Sequence, residues 1–361
     1  MRLPVGTPPL FISAVIGLSL LTGCPSRESV GMGSLSILGA GVVNSPSNKS
    51  LRFDILKFGL DRFCEEMRKG GAPLKLADDQ PVIGRFFASA CQSQVIEQGD
   101  RQSFVVQFEG RGYAYSQPTG RLGFSLRGLV EYAADFQLEG EAMYVYFRPR
   151  LVDATAFQTL MVESQLAQTA MQAVAINPDE FGKRVVDGQL KRGFTVIRWS
   201  EKGETEFGMG IIAKGERPFR PFDVKTEDKL VIANDRTEVH AGQQDFIGAF
   251  SVPEDDQAFY LTLTTDGAPL VDVLLVPKVV GDGLVDGYVK NRGPVSIPGG
   301  ALLDESVPQG TLFQRFVNVP RGEYYLVLDN SDRAGHSAPP SGKLDDRAAK
   351  VDYLVLRGDK P

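Results

Sequence analysis

The sequence predicts an α+β protein: an antiparallel curved sheet with amphipathic helices, followed by an all-β sandwich. Three observations carry this expectation. Apolar residues recur at helical spacing over 51–69 and again over 154–175. Between those stretches, and again after Pro221, short runs alternate apolar and polar residues and end in Gly, Pro or Asp. The segment Arg217-Pro218-Phe219-Arg220-Pro221-Phe222 separates the mixed text from the all-β text as a stiff boundary. The chain has 361 residues, 42% of them hydrophobic, which is ample for two cores. The expected organisation is a leader over 1–23, a tether over 24–49, an α+β domain over 50–215 and a β-sandwich over 216–361.

In order along the chain, Phe53, Leu56, Leu60, Phe63 and Met67 fall on one face of a helix that Gly70-Gly71 and Pro73 stop. A short helix or turn over Ile83–Ala90 is expected next. Phe104, Val106 and Phe108 then alternate as a strand, and Tyr113 and Tyr115 continue it beyond a bulge at Gly110 and Gly112. Leu122, Phe124 and Leu126 form a second strand after the turn Pro118-Thr119-Gly120. Met143, Val145 and Phe147 form a third, with Tyr144 and Tyr146 on its other face. Such short connections imply an antiparallel meander. A second helix is expected over 154–175, with Phe157, Leu160, Met161, Ala167, Met171 and Val174 on one face. A third spans Pro178–Leu190, capped by Asn177 with Pro178 at its first position. Phe194–Arg198 and Phe207–Ala213 complete the first half.

After Pro221 seven strands are expected: Lys229–Ala233, Phe246–Val252, Phe259–Thr265, Val271–Val276, Leu312–Val319, Tyr324–Asp329 and Val351–Leu356. The insertion 277–310 and the segment 331–347 show little periodicity and read as surface loops.

The leader carries the most specific signal. Leu10–Leu21 is an apolar run of 12 residues, which fits a signal-peptide core and is short of the roughly 20 needed to cross a bilayer. It ends in Leu21-Thr22-Gly23-Cys24, which resembles the lipobox of bacterial lipoproteins. That resemblance implies a signal peptide over 1–23, a diacylglycerol on the Cys24 thiol, and anchoring by acyl chains at about 0.8 kcal/mol per buried methylene. Pro25 stands where an aspartate would mark inner-membrane retention, so the resemblance points to the outer membrane of the cell envelope. With Cys24 lipidated, Cys64 and Cys91 remain. In an extracytoplasmic chain one such pair reads as a disulfide, the alternative being two buried thiols.

Pro320-Arg321-Gly322-Glu323-Tyr324-Tyr325-Leu326-Val327-Leu328-Asp329-Asn330 resembles the closing strand of secreted pre-peptidase C-terminal modules. ValAspValLeuLeuVal at 271–276 resembles an inner strand of the same modules. They are non-catalytic appendages, which implies binding or spacing over about 230–357. The first half, with a long helix, a curved meander and a second helix, is similar to the tubular lipid-binding folds of bacterial envelope lipoproteins. That likeness implies a tunnel lined by Phe104, Val106, Phe108, Phe124, Leu126, Met143, Val145, Phe147, Phe157, Leu160 and Met161. The same stripes also describe a plain packed core, and patterning alone does not separate a filled interior from a hollow one.

Little else points to chemistry. The 39 basic and 45 acidic residues form no basic stripe, so no nucleic-acid partner is expected. His240 and His336 are the only histidines. Neither lies near a nucleophile elbow or at ligand spacing, so no triad, metal or cofactor is expected. Asp255, Asp256, Asp282, Asp286, Asp345 and Asp346 could offer oxygen ligands, but they occupy turn positions without the spacing of a calcium loop. The leading expectation is a membrane-anchored, non-enzymatic binding or scaffolding lipoprotein, with the membrane and an envelope protein or hydrophobic ligand as partners. A carrier of a lipid or other hydrophobic ligand, working through the first domain, is the second reading. A carboxylate-based hydrolase is the third.

Overall fold

The alternating runs of the first half pair into one antiparallel sheet whose strand order follows the sequence. A computed structural model describes residues 45–361 apart from 61–62, 99–100, 118, 140–141, 174–176, 202–203, 225, 227, 298 and 338–347. The leader, Cys24 and nearly all of the expected tether lie outside the described residues. The seven strands are β1 (Ala72–Leu74), β2 (Gly84–Gln98), β3 (Arg101–Ser116), β4 (Gly120–Glu139), β5 (Ala142–Val162), β6 (Phe194–Glu201) and β7 (Glu204–Gly210). Strands of up to 21 residues cannot stay flat, because each step adds right-handed twist. Bulges add to it, at Ala88/Ala90 in β2 and at three places along the β4–β5 pairing.

The sheet curls around α1 (Lys49–Leu60) and α2 (Phe63–Lys69). Leu56 and Leu60 are buried on its inner side, and Phe63 and Met67 pack beside them. α3 (Gln165–Ala173) follows β5. α4 (Pro178–Leu190) brings Val186 and Leu190 to the same interior. Asn177 caps α4 by accepting the Asp179 N–H at 3.0 Å, and Pro178 begins it, as the sequence predicts. The loop after β1 links the two edges of the curl. The Leu76 carbonyl accepts Arg192, and the Asp78 carboxylate accepts the Phe219 N–H at 2.6 Å, just past β7.

Two further sheets hold the second half. One runs β13–β10–β15–β8 and the other β12–β11–β14–β9. The strands are β8 (Lys229–Val239), β9 (Gln243–Val252), β10 (Gln257–Asp266), β11 (Leu270–Pro277), β12 (Leu303–Pro308), β13 (Phe313–Asn318), β14 (Gly322–Asn330) and β15 (Ala349–Asp359). Both sheets send residues into one core, including Val239, Ile247, Phe259, Leu261, Val273, Leu326 and Val355. The inner-facing positions alternate along strands such as β10 and β11, as a sandwich requires, and register shifts interrupt the pattern in β8 and β9.

Several expectations fail, each for a physical reason. The protein is mostly β, at 56% strand and 17% helix, so the helices are additions to sheets rather than an equal partner in the fold. Residues 154–162 are strand, and among the described residues of the expected 154–175 helix only Gln165–Ala173 is helical. Phe157, Leu160 and Met161 imitate helical spacing because a bulge at Gly123/Phe124 breaks the two-residue alternation opposite them. Ile83–Ala90 is likewise not a helix, since β2 starts at Gly84. Phe86 enters the curl and Phe87 faces away from it, the usual alternation of a strand. The expected bulge at Gly110 sits across the ladder in β2, where Ser89 is the extra residue.

The largest correction lies at 277–310. It holds α5 (Lys278–Lys290) and the additional strand β12. Gly281, Gly283 and Gly287 lower helix propensity there. Leu284, Val285, Tyr288 and Val289 nevertheless recur on one face and are buried. The segment 331–337 is not a free loop either, because Ser331, Ala334 and Ser337 are buried. Residues 338–347 of that expected loop lie outside the described residues.

Cys64 of α2 and Cys91 of β2 form a disulfide with their α-carbons 5.2 Å apart, inside the normal range. It pins the helices to the sheet they fill. Closing a loop with a sequence separation of 27 contributes about 3–4 kcal/mol. The Cys64→Ser, Cys91→Ser protein should therefore lose stability by that amount in urea unfolding, and reducing agent should reproduce the loss in the parent.

Candidate functional site

Seven of the eight residues singled out for ligand contact come together. Val106, Phe108, Phe124, Leu126, Val145, Phe147 and Phe157 are all buried in one cluster on the inner side of the curl. Phe104 and Met143 join them. Leu160 does not. It faces out of the curl and packs with α5. The inner rings touch one another. Phe124 stacks on Phe157 with centroids 5.4 Å apart, Phe147 on Phe194 at 4.5 Å, and Phe63 meets Phe104 edge-on at 5.3 Å. The first two contacts join rings of neighbouring strands, and the third brings α2 onto the sheet.

A second constellation, absent from the sequence reading, lies where the curl meets the sandwich. Arg85 of β2 crosses into the second half and binds Asp245 of β9 through two parallel hydrogen bonds of 2.7 Å. Asp245 also accepts Tyr113 O–H at 2.7 Å and Thr237 O–H at 2.9 Å. The Tyr113 oxygen in turn accepts the Phe246 N–H. Arg85 and Asp245 are almost wholly withdrawn from water, with side chains 3% and 5% exposed. Burial alone would push the Asp245 carboxyl up. The Arg85 guanidinium and the hydrogen bonds from Arg85, Tyr113 and Thr237 outweigh it and hold the carboxyl below its usual range. Burial likewise opposes the charge on Arg85, but Asp245 keeps its pKa well above the ordinary value.

Around this pair the halves interlock. Val82, just before β2, donates its N–H to the Arg236 carbonyl and accepts from Glu238, covering the edge strand β8. Lys75 pairs with Asp235 at 2.7 Å. Gly70 and Gly71 end α2 against Gly248, where any side chain at Gly70 would strike the Gly248 carbonyl. Tyr115 stacks on His240 with ring centroids 3.4 Å apart.

α5 fills the remaining angle. One of its sides covers Leu274, Val276, Tyr325 and Val327 of the sandwich. The other meets Phe87, Tyr113 and Leu160 of the curl. Tyr113, Phe246 and Tyr288 form a triangle of rings with centroids 4.9–6.3 Å apart. Arg121 of β4, 1% exposed, lays its guanidinium over the Tyr288 ring at 3.6 Å and donates to the carbonyls of Asn291 and Gly293. Burial pushes the Tyr288 hydroxyl up to about 12. At Gly123 a β-carbon would overlap the Val289 carbonyl, so α5 sits directly on the β4 backbone.

The surface offers an open groove of about 470 Å³ at the start of α5, lined by Lys278, Asp282, Arg321, Glu323 and Tyr324 among others. His240 is buried beside Glu238, with Nε2 at 2.9 Å from its carboxylate, and His336 is exposed. Among the described residues no three His, Cys, Asp or Glu side chains converge as a metal cage. Acidic residues set into apolar strands, Asp245 in GlnGlnAspPheIle and Asp272 in ValAspValLeu, were the available signal for buried polar sites.

Breaking the Arg85–Asp245 pair should be costly. Asp245→Ala leaves a buried guanidinium without its carboxylate, and a loss of about 3–5 kcal/mol is expected in denaturant unfolding. The pair's contribution has a definite pH dependence as well. Because the Asp245 carboxyl is held low, the contribution is complete above its unfolded value near 4 and disappears as pH falls further. The Arg85→Met, Asp245→Leu protein should therefore lose less stability on acidification than the parent, measured by the unfolding midpoint between pH 2 and 5.

No protein-family model matches the chain. No curated protein matches it either. Among solved structures, one similar chain is that of the infectious bursal disease virus VP2 subviral particle. It shows 10% sequence identity and a TM-score of 0.20, with 84% of this chain and 78% of that one covered. A similarity at that level carries no argument about fold or function.

Proposed function

We propose that this protein is a lipid-anchored lipoprotein of the bacterial cell envelope, held at the outer membrane by acylated Cys24, and that it acts as a non-enzymatic binding or scaffolding module. The observation that carries the proposal is the cysteine arithmetic. Cys64 and Cys91 are bridged, which suits an oxidising compartment outside the cytosol. That leaves Cys24, which closes the lipobox-like Leu21-Thr22-Gly23-Cys24. In this reading an α+β unit near 50–215 and a sandwich near 216–361 stand together on the tether 24–49. The ring contacts inside the curl and the interlocked junction favour recognition by outer surfaces. The resemblance of the second half to secreted sandwich appendages favours the same role.

A hydrophobic-ligand carrier is the second reading. One arrangement favours it: seven of the eight candidate lining residues share one enclosed face with α1 and α2. A ligand there would have to displace rings already in contact, so the carrier form needs the helices to move.

Two measurements separate these readings. The wild-type protein should partition into detergent and the membrane fraction, whereas Cys24→Ala should appear in neither; a membrane-bound Cys24→Ala protein would remove the anchoring claim. Native mass spectrometry of soluble chain 45–361, exported to an oxidising compartment, should give a bare mass less two hydrogens. Added lipid mass, abolished by Val106→Trp, would favour the carrier.

A further inference from the structure

Four polar side chains cross the sheet beneath α5 in a single row: Ser306 on β12, Asp272 on β11, Asp329 on β14 and Gln244 on β9. They are direct register partners and so share one face. Two positions along, the same face presents Leu274, Val327 and Phe246 to α5. Asp272 and Asp329 are both fully buried. Two carboxylates side by side in an apolar sheet need compensation.

Asp272 has it. It accepts the Ser306 hydroxyl and the backbone N–H groups of His336 at 2.9 Å and Ser337 at 2.6 Å. Those two donors belong to the 331–337 segment, which lies over the row. A β-carbon on Gly335 would overlap the Asp272 carboxyl. Asp329 is less well served. Its Oδ1 accepts Ser331 O–H at 2.7 Å, while Oδ2 is buried without a hydrogen bond among the described residues. Burial pushes this carboxyl up to about 6, and the neighbouring Asp272 charge adds to the rise. The Ser331 hydroxyl and the Gln244 amide pull the other way. Among the described residues, the groups that face the pair are therefore Ser306 from β12, Gln244 from β9, and Ser331 with the His336 and Ser337 amides from the covering segment. None of these is a cation, and His336 itself is exposed.

We infer that Asp329, buried beside Asp272 with one oxygen unpartnered among the described residues, keeps its proton beneath the 331–337 segment, and that losing it loosens the segment, making it an acid-tightened latch. The sign follows from linkage. Opening returns Asp329 to water and to its ordinary value of 3.8. Below that value both states carry the proton and opening does not depend on pH. Between there and about 6 only the closed state keeps the proton, so opening becomes more favourable by tenfold per pH unit, about 100-fold in total. Above about 6 both states are ionised and the effect levels off.

The test is backbone amide hydrogen exchange at His336 and Ser337 in the intact protein from pH 4 to 7.5, corrected for the intrinsic rate. Protection should fall about 100-fold between pH 4 and 6 and then remain constant. Asp329→Asn, which keeps the shape and removes the charge, should stay protected throughout. Flat protection in the parent, or the same fall in Asp329→Asn, would overturn the latch. If that variant does not fold, carboxyl carbon shifts of the parent decide. An Asp329 carboxyl titrating near 6 supports the latch, and one titrating below 5 refutes it.

Discussion

The arrangement of the two halves depends on one buried ion pair. Arg85 leaves the curled sheet, and Asp245 receives it inside the second half, with Tyr113 and Thr237 completing the carboxylate's hydrogen bonds. A pair withdrawn from water gains little net stability over well-packed apolar groups, because desolvation of both charges offsets their attraction. Its effect is on geometry. The bidentate contact fixes both distance and rotation, and an uncompensated charge on either side is the penalty for any other docking. The apolar contacts around it, between α5, Phe87 and the sandwich face, supply area but tolerate sliding. The ion pair does not.

The same division of labour explains α5. Its apolar side could cover the sandwich face alone, as Leu284, Val285 and Tyr288 do. Its glycines give the second function. Gly281 lets the helix approach the Tyr325 ring, and on the other side Gly123 of β4 lets the Val289 carbonyl lie against the sheet backbone. Close approach then brings Arg121 over Tyr288, so a fully buried guanidinium is held by a ring face and two carbonyls, with the Glu163 carboxylate 3.8 Å away. A helix with better intrinsic propensity and bulkier residues would fit one half and hold the other away.

Those glycines are also why α5 was illegible. Reading by periodicity works where alternation is clean, as in Phe259–Thr265 or Met143–Phe147, and every strand expected in the second half is present. It fails where two patterns overlap. A bulge in the β4–β5 ladder gave Phe157, Leu160 and Met161 a helical spacing inside a strand. Glycine dilution hid a real helix at 278–290. Of the candidate ligand residues, the stripes Val106/Phe108, Phe124/Leu126 and Val145/Phe147 were placed correctly on one face, because a strand's alternation fixes which residues share a side. Arg85, Asp245 and Asp329 were not legible as a site, since nothing local says which distant strand supplies a charge's partner. The signal available was an acid embedded in an apolar strand, which announces a partner without naming it.

That signal bears on function. Two of the chain's buried polar groups contrast: at the junction Arg85 and Asp245 are mutually neutralised, whereas in the row beneath 331–337 Asp272 and Asp329 face no cation among the described residues. The first arrangement removes freedom, because both charges are satisfied in one geometry alone. The second leaves freedom, because the loss of one proton changes the balance of a single segment while the apolar contacts of α5 stay intact. The two together give a frame that holds its surfaces at fixed relative positions and a limited region able to respond. The bridge between Cys64 and Cys91 belongs to the frame, since it ties the filling helices to the sheet. The 331–337 segment belongs to the responsive part, and it lies over the inner strands β11 and β14 of its sheet.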